Sequence, residues 1–364
     1  MLAGMTAPFP LIEVSGPPRE RGQQYGRQAA TRIARGVEHY AAQLGRMRVD
    51  WPAVRGLVQD YLPEIERFDP TYVEEMRGIA EGAGLELEAI VLLNARTEIL
   101  KRGLVALPEA TQAGRVIHAQ NWDWKAECAE TAVVLAVHRD AGPDFLTFTE
   151  AGGLARSGFN AAGIAITANY LECDRDYCRL GVPLALIRRK VLESAHLALA
   201  MHAVCATPKS AANNMMVSHT GGVAIDFECA PDETFRVRAE RGVIVHANHF
   251  VSPVALAKLR DTGIANTPCT LYRDLRVRAL LEPQIGALTR ESVKRALSDD
   301  FASPWSVCRP PRPGLNGTIT ATVAAIVMEP ALGIMEVAPL PALGAHYTTY
   351  TLDVRQAATA AVAG

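Results

Sequence analysis

The stretch Arg115-Val116-Ile117-His118-Ala119-Gln120-Asn121-Trp122-Asp123-Trp124 places the first constraint on the fold of this chain. Its first half, with Val116 and Ile117 at the centre, predicts a short β-strand. Gln120 to Trp124 then place an amide, an indole and a carboxylate side by side at the end of that strand. Such a set of hydrogen-bonding groups on a regular element favours the wall of an active site over surface decoration.

Length and composition limit the classes of protein to which the chain can belong. Its 364 residues suffice for one large domain or two ordinary ones, and 49% hydrophobic with 21% charged residues is typical of a soluble globular protein. The net charge of −2 argues against a nucleic-acid partner, because no basic excess is present to neutralise a phosphate backbone. No apolar run is long enough for a membrane span. Met1 to Met5 lack the order of a secretory signal, so we expect a cytoplasmic location.

The cysteine and histidine residues give no sign of a disulfide framework or a metal site. The number of cysteines, seven, is odd, and no C-x-x-C pair occurs among them, so we expect most to be buried thiols. His246 and His249 form an H-x-x-H pattern, but on a β-strand that spacing directs the two rings to opposite faces. No metal or organic cofactor is therefore predicted. The cysteines are Cys128, Cys173, Cys178, Cys205, Cys229, Cys269 and Cys308.

The first hundred residues predict helices. Pro17-Pro18 suits the first turn of a helix, and apolar residues then recur at helical spacing. Further helices are predicted from Trp51, over Thr71–Ala83 and over Leu87–Leu100. The recurring residues of the first helix are Tyr25, Ala29, Ile33, Val37 and Tyr40.

After Gly103 the pattern changes to short β-like runs separated by glycine-rich turns such as Gly152-Gly153. Helices return at Val182–Ala206, Cys269–Leu281 and Thr289–Leu297. Helices first and then long meanders with helices between them predict an α+β fold in which helices cover sheets. The predicted strands are Thr131–His138, Phe145–Thr149, Leu154–Phe159, Gly163–Asn169, Asn214–His219, Val223–Glu228, Thr234–Ala239, Gly242–His246, Thr318–Met328, Gly333–Val337 and Tyr347–Leu352.

Several segments, taken in order, carry a resemblance to a known family. They are Arg19-Glu20-Arg21-Gly22, Leu93-Asn94-Ala95-Arg96-Thr97-Glu98, Gln120-Asn121-Trp122-Asp123, Thr149-Glu150-Ala151-Gly152, Gly158-Phe159-Asn160-Ala161-Ala162-Gly163, Gly181-Val182-Pro183, His246-Ala247-Asn248-His249 and Ser306-Val307-Cys308-Arg309. Because these segments occur together and in this order, the chain resembles the acyl-coenzyme A:6-aminopenicillanic acid acyltransferases, which belong to the N-terminal-nucleophile hydrolases. The resemblance implies a four-layer αββα sandwich. It also implies a single domain over 1–364, with a mainly helical prosegment-like region at 11–102 and an αββα core at 103–353.

The resemblance also implies roles for individual residues. Amide chemistry needs a nucleophile, a proton carrier and donors for the oxyanion. Asn248 matches the oxyanion donor, Asp123 the carboxylate near the nucleophile, and Arg309 a cationic group that holds a substrate carboxylate or fixes Asp123. Each also has a structural explanation: Asp123 as a turn cap, Asn248 as a partner for loop backbone, and Arg309 as one half of a structural ion pair.

Three further residues are predicted to line the substrate pocket. They are Asn121, Trp122 and Glu150, which neighbour the catalytic candidates in the family segments. For Trp122 and Glu150 the alternative is a purely structural role, in packing for the indole and in the fold for the carboxylate.

The residue expected to act as nucleophile is missing. Family members carry Cys-Thr or a similar pair about twenty residues before the Asn-Trp-Asp sequence, and that distance leads here to Lys101. The run Ile99-Leu100-Lys101-Arg102-Gly103-Leu104 contains no cysteine, serine or threonine. Three explanations remain open: a catalytically impaired homologue, a sequence that omits a segment, or a different nucleophile.

We therefore expect an amidohydrolase or N-acyltransferase that acts on a small N-acylated amine or amino acid. Acyl-coenzyme A would be the co-substrate if transfer is the reaction, and a small molecule is the expected partner. The alternative is an inactive homologue that binds a small ligand without turnover. Neither nucleic acid nor membrane is an expected partner, and a homo-oligomer is left open.

The absent nucleophile predicts that the polypeptide remains uncleaved through Leu100-Lys101-Arg102-Gly103, because neither Lys nor Arg forms the ester or thioester intermediate of self-cleavage. Denaturing electrophoresis and the intact mass of the purified protein should show one species of 364 residues. Two fragments divided near this junction would contradict the prediction. A mass greater than the sequence accounts for would show that a segment is missing from it.

Overall fold

Two β-sheets lie face to face at the centre of the protein. The computed structural model describes residues 6–46, 51–95, 101–314 and 318–354. Within these ranges the strands are β1 (Leu11–Ser15), β2 (Lys101–Ala106), β3 (Ile117–Lys125), β4 (Ala132–His138), β5 (Phe145–Glu150), β6 (Ser157–Asn160), β7 (Ile164–Tyr170), β8 (Asn213–His219), β9 (Val223–Cys229), β10 (Thr234–Val237), β11 (Val243–His246), β12 (Arg312–Pro313), β13 (Ile319–Glu329), β14 (Ile334–Pro339) and β15 (Thr348–Thr351).

The helices lie on the outside of the sheets. In the described part of the chain they are α1 (Pro18–Arg46), α2 (Trp51–Phe68), α3 (Pro70–Ala83), α4 (Leu87–Ala95), α5 (Leu184–Glu193), α6 (Leu197–Ala206), α7 (Pro253–Leu256), α8 (Gly263–Asn266), α9 (Thr270–Leu281) and α10 (Arg290–Leu297). No described helix combines the length and the apolar character that crossing a membrane requires.

The two sheets and their helices form four layers. The larger sheet has the order β1-β4-β5-β6-β7-β8-β9-β10, and the smaller has the order β11-β2-β3-β13-β14-β15 with β12 beside β13. β2 and β3 pack against β7 at the centre, α5 and α6 cover the larger sheet, and α9 and α10 cover the smaller one. The expected α+β fold, a four-layer αββα sandwich with a helical N-terminal region, is confirmed.

The structure departs from the sequence prediction at several places, and besides those described next, β2, β12, α7 and α8 were not predicted. Gln120 to Trp124 lie inside β3 rather than beyond its end, because the ladder with β13 continues to the pair Lys125 and Thr320. β1 was not predicted, since its parallel pairing with β4 is a long-range contact. The predicted helix over Val182–Ala206 is divided into α5 and α6. The last five residues of the predicted Leu87–Leu100 helix lie outside the described residues.

The alternation of side chains along β3 divides its polar residues between two layers. His118 and Gln120 face the larger sheet: the His118 ring nitrogens lie 2.8 Å from the hydroxyls of Ser218 and Thr167, and Gln120 Nε2 donates to Asn169 Oδ1 at 3.1 Å. Asn121 and Asp123 face the α9 and α10 side. The boundary between the sheets is therefore partly polar, and the candidate site lies on the opposite face of β3.

The N-terminal helices pack unusually closely at four glycines. Gly22 and Gly26 of α1 lie against Gly78 and Gly82 of α3, at intervals of four residues that place each pair on one helix face. A methyl group on Gly26 would lie 2.3 Å from the carbonyl oxygen of Ile79. The two backbones approach too closely for any side chain larger than hydrogen.

Gly26→Ala should destabilise the protein by about 1–3 kcal/mol, because the added methyl group meets backbone atoms that cannot move independently. Gly56→Ala is the matched control: Gly56 lies in α2 with open space around the position of its Cβ, so alanine should be neutral or stabilise by up to about 1 kcal/mol. Urea unfolding of both variants measures the difference. Equal midpoints would show that α1 and α3 are not in close contact in solution.

Candidate functional site

Asp123 is a buried carboxylate at the centre of the smaller sheet, on the face that α9 covers. The residue is 2% exposed. Oδ1 accepts a hydrogen bond of 2.6 Å from the hydroxyl of Thr322 on the neighbouring strand β13. Oδ2 lies 3.4 Å from Nη1 of Arg273 and 3.6 Å from Nε of Arg309. These contacts offset part of the cost of burying a carboxylate.

Arg273 joins Asp123 to Asn248. Its guanidinium is fully buried, and Nη2 donates a 3.0 Å hydrogen bond to Oδ1 of Asn248 while Nη1 faces Asp123. Asp123 and Asn248, which are distant in sequence, thus contact the same planar guanidinium of Arg273. Guanidinium is suited to this because its donors have a fixed geometry and its charge persists on burial.

The sequence prediction missed Arg273, although a signal was present. The predicted helix Cys269–Leu281 buries Val277 and Leu281, and Arg273 precedes them at intervals of four on the same face. A charged residue on the core-facing side of a predicted helix indicates a buried partner, since burying an isolated charge is costly.

Asn248 lies in the loop after β11 and is fixed from three directions. Its Nδ2 donates to the carbonyl oxygen of Tyr170 at 3.0 Å, and its Oδ1 accepts from Arg273. Its backbone N–H donates to the hydroxyl of Thr270 at 2.8 Å. The amide is therefore held rigidly beside the Asp123 cluster and is already engaged in hydrogen bonds.

Arg309 completes the cluster from the segment before β12. Its backbone N–H donates to the hydroxyl of Thr322, the same residue that donates to Asp123. Its Nη2 donates to the sulfur of Cys269 at 2.9 Å. Its Nε is buried and makes no hydrogen bond within the described part of the chain. The structure thus brings Asp123, Asn248 and Arg309 together.

The three residues predicted to bind substrate have other surroundings. Asn121 lies on the same face as Asp123, and its Nδ2 donates to the carbonyl oxygens of Leu297 and Val307. Trp122 lies on the opposite face, 5.4 Å from the ring of Phe148. Asn121 therefore ties α10 and the segment leading to Arg309 to the sheet, and Trp122 packs between the sheets.

Glu150 lies at the end of β5, away from the Asp123 cluster. Its Oε2 accepts a 2.9 Å hydrogen bond from Arg156, and its Oε1 accepts one of 3.1 Å from the hydroxyl of Tyr40. These contacts connect the larger sheet to α1. Neither Trp122 nor Glu150 contacts the Asp123 cluster in these hydrogen bonds and ring contacts. That they bind substrate remains a prediction.

The N-terminal end of β2 lies beside the cluster. Lys101 pairs with Trp122, the residue before Asp123, and Arg102 pairs with Asn121. Ile99 and Leu100, together with the side chains of Lys101 and Arg102, lie outside the described residues. The described start of β2 therefore lies beside Asn121 and Trp122, the residues that precede Asp123 in β3.

A buried ionisable group holds the loop that carries Asn248. Nε2 of His246 lies 2.8 Å from Oε1 of Glu228, and that carboxylate also accepts the backbone N–H groups of Val251 and Ser252. Burial lowers the pKa of His246, but the charges of Asp226 and Glu228 outweigh it and raise that pKa to about 9. Burial raises the pKa of Asp226 to about 7. Within the described residues no set of three or more His, Cys, Asp or Glu side chains has a metal-binding arrangement.

Comparison with known proteins assigns the chain to a family. The model of the family "Acyl-coenzyme A:6-aminopenicillanic acid acyl-transferase" matches residues 110–337, which include Asp123, Asn248 and Arg309. The chain belongs to this family. It is 27% identical over 309 residues to the acyl-coenzyme A:6-aminopenicillanic-acid-acyltransferase 40 kDa form of Emericella nidulans, covering 82% of this chain and 84% of that protein.

Two solved structures show weaker likeness to this family member. One is the N-acylethanolamine-hydrolyzing acid amidase ortholog of Caenorhabditis elegans, at 16% identity and a TM-score of 0.46, covering 69% of this chain and 100% of the other. The second is penicillin V acylase from Agrobacterium tumefaciens, at 15% identity and a TM-score of 0.42, covering 69% and 86%. Likeness at this level decides nothing about the chemistry of this chain.

The folded state of this acyltransferase-family protein should lose stability as pH rises from 5 to 9.5. Asp226 and His246 both have a higher pKa in the folded chain than the unfolded values of about 3.9 and 6.5. Each therefore stabilises most below its unfolded pKa, and that stability is lost as pH rises through about 7 for Asp226 and about 9 for His246. Thermal unfolding across this range measures the slope.

Asp226→Asn should flatten the lower half of that profile and also weaken the upper half, because the charge of Asp226 helps to raise the pKa of His246. Asp140→Asn, at an exposed position, should leave the profile unchanged. Identical profiles for the wild type and Asp226→Asn would contradict the assignment.

Proposed function

We propose that this family member cleaves or forms the amide bond of a small N-acylated amine or amino acid. The observation that carries the proposal is the convergence of Asp123, Asn248 and Arg309 in one buried cluster around Arg273. Groups from four separate segments meet there, and such convergence of polar side chains is typical of a reaction site. Family membership supports acyl transfer as the reaction class.

The charges of the cluster favour an anionic substrate. Two buried guanidiniums, those of Arg273 and Arg309, face the carboxylate of Asp123, and Nε of Arg309 has no hydrogen-bond partner within the described residues. The substrate carboxylate of an N-acyl amino acid would take this donor. Arginine binds carboxylates well because its paired donors match the two oxygens.

Asn248 is the proposed oxyanion donor. Its Nδ2 now donates to the carbonyl oxygen of Tyr170, and Arg273 holds its Oδ1. A bound acyl group would recruit this N–H in place of the Tyr170 carbonyl, whereas Arg273 would keep the amide oriented. Preorganised donors of this kind stabilise the charge that develops on the carbonyl oxygen.

The acyl group has two proposed sources. In hydrolysis it belongs to the N-acylated substrate, and water accepts it. In transfer it comes from acyl-coenzyme A, and an amine accepts it, as the name of the Emericella nidulans relative suggests. No resident cofactor is proposed in either case.

The second candidate is a ligand-binding homologue that does not turn over its ligand. Two observations favour it. Residues 99–104 contain no cysteine, serine or threonine, and Nδ2 of Asn248 already donates a hydrogen bond to the carbonyl oxygen of Tyr170. A ligand would then raise the unfolding temperature without being consumed. The same cluster would bind the ligand, and only the attack on the carbonyl would be lost.

The test is hydrolysis of a panel of N-acyl amino acids, with and without acyl-coenzyme A and an acceptor amine. Asn248→Ala should lower kcat/KM by about 100-fold or more, the cost of removing an oxyanion donor. Asp123→Asn should also reduce it strongly, whereas Asp232→Asn, at an exposed position, should not. No turnover above buffer by wild-type protein would exclude the enzyme. A ligand-induced rise in unfolding temperature under the same conditions would then support the binding protein.

A further inference from the structure

The candidate site contains a thiol, that of Cys269. Cys269 immediately precedes α9, and its sulfur accepts the 2.9 Å hydrogen bond from Nη2 of Arg309. Its carbonyl oxygen accepts a 3.3 Å hydrogen bond from Nε of Arg273. The residue therefore lies between the two guanidiniums that face Asp123.

We infer that Cys269 is the nucleophile of this site and that it accepts acyl groups as a thioester. The inference rests on the proposed function, because it names the group that attacks the acyl carbonyl there. The sequence contains no nucleophile near Lys101, and one of the explanations left open is that the protein uses a different nucleophile. Cys269 would be that residue.

The setting of Cys269 differs from that of an isolated buried thiol. Arg309 is 1% exposed, and its Nε has no hydrogen-bond partner in the described ranges although Asp123 lies 3.6 Å away. A buried donor left open beside the sulfur indicates a ligand atom that completes it, because buried polar groups are normally paired. The open donor and the sulfur belong to the same cluster.

A third arginine extends the positive surroundings. Burial and the charge of Arg309 lower the pKa of Arg312, and Asp123 and Cys269 also interact electrostatically with it. The guanidinium of Arg312 lies 5.0 Å from the ring centre of the half-exposed Trp305. Arg312 therefore connects the buried cluster to the protein surface.

These surroundings suit a nucleophilic sulfur. Thiolate is the form of cysteine that attacks carbonyl carbon, and a nearby guanidinium and a helix N-terminus both stabilise a negative sulfur. Cys269 has both, since Arg309 donates to its sulfur and the twelve residues of α9 follow it. Cys308, the neighbour of Arg309 in sequence, does not precede a helix.

The acyl donor that fits is an acyl thioester or an N-acyl amino acid with a negative group near the acyl chain. Arg273, Arg309 and Arg312 place positive charge around Cys269. Cys269 follows the stretch 264–268, which is exposed or partly exposed, so the donor would reach the sulfur from that side.

The chemistry balances without a further reagent. The sulfur of Cys269 attacks the acyl carbonyl carbon, and the bond from that carbon to the leaving nitrogen, or to the coenzyme A sulfur, breaks. The thiol proton passes to the leaving group, which departs as the free amine or as coenzyme A. Water or an acceptor amine then attacks the thioester, giving the acid or the new amide and restoring the thiol.

The experiment looks for the thioester in the wild-type protein. The full chain is incubated with a short-chain acyl-coenzyme A in the absence of amine, and intact mass is followed by peptide mapping. We expect one added acyl group on the peptide that contains Cys269, removable by hydroxylamine. Cys178 and Cys205 are exposed and report non-specific acylation in the same map.

Variants separate the chemistry from the fold. Cys269→Ala and Cys269→Ser should lose both the adduct and turnover, while Cys308→Ala, a control with the same change at a buried thiol, should keep both. Thermal unfolding of each variant identifies any loss of activity that comes from misfolding. The wild-type adduct does not depend on any variant, so the inference is testable even if the substitutions destabilise the chain.

The outcomes distinguish this inference from the proposed function. Turnover that survives in Cys269→Ala overturns the nucleophile and leaves the proposed function intact. An adduct at Cys269 without turnover supports the acyl acceptor and contradicts catalysis. Acylation confined to Cys178 and Cys205 overturns the inference, and the absence of both adduct and turnover in wild-type protein overturns both proposals.

Discussion

The buried guanidinium of Arg273 is the interaction on which the arrangement of the site depends. It connects α9 to Asp123 of β3 and to Asn248 in the loop after β11. A buried cation is costly unless carboxylates and hydrogen-bond acceptors surround it, so these elements are fixed relative to one another by the need to satisfy it. Arg309 and Thr322 extend the network, because Thr322 donates to Asp123 and accepts from the Arg309 backbone.

The alternation of one strand separates two polar regions that would otherwise merge. Successive residues of β3 point to opposite faces, so Asp123 belongs to the layer beneath α9 while Gln120 and His118 belong to the layer between the sheets. Burial lowers the pKa of His118 to about 3, and the ring is therefore a neutral hydrogen-bonding group in the interior. The pair of His246 and Glu228 contributes to the site indirectly, because it holds the loop from which Asn248 reaches the Asp123 cluster.

The function of the site depends on whether Cys269, at the start of α9, is inert or reactive. With Cys269 inert, the cluster is a binding site with charges that suit a carboxylate. With Cys269 reactive, the same guanidiniums that bind the carboxylate also support the sulfur. The loss of a nucleophile near Lys101 would then be compensated from a different element, because β2 and the start of α9 both lead to Asp123.

Local patterns in the sequence predicted most elements. Apolar residues at helical spacing identified α1, and short β-like runs identified most strands of both sheets, because these periods reflect which face of each element is buried. The stretch Gln120 to Trp124 was misplaced beyond its strand. Polar residues in sequence suggest exposure, whereas these are paired across two layers by partners far along the chain.

The sequence by itself thus determined the α+β class and most of the elements, and its resemblance to a family named three of the residues that meet in the cluster. Only the tertiary structure decided that Arg273 joins them and that Cys269 lies against Arg309. The physical reason is the range of the interactions. Periodicity records contacts within a few residues of each position, but the partners of a buried charge are chosen when sheet and helix layers pack, and those partners lie 25 residues from Arg273 at Asn248 and 150 at Asp123.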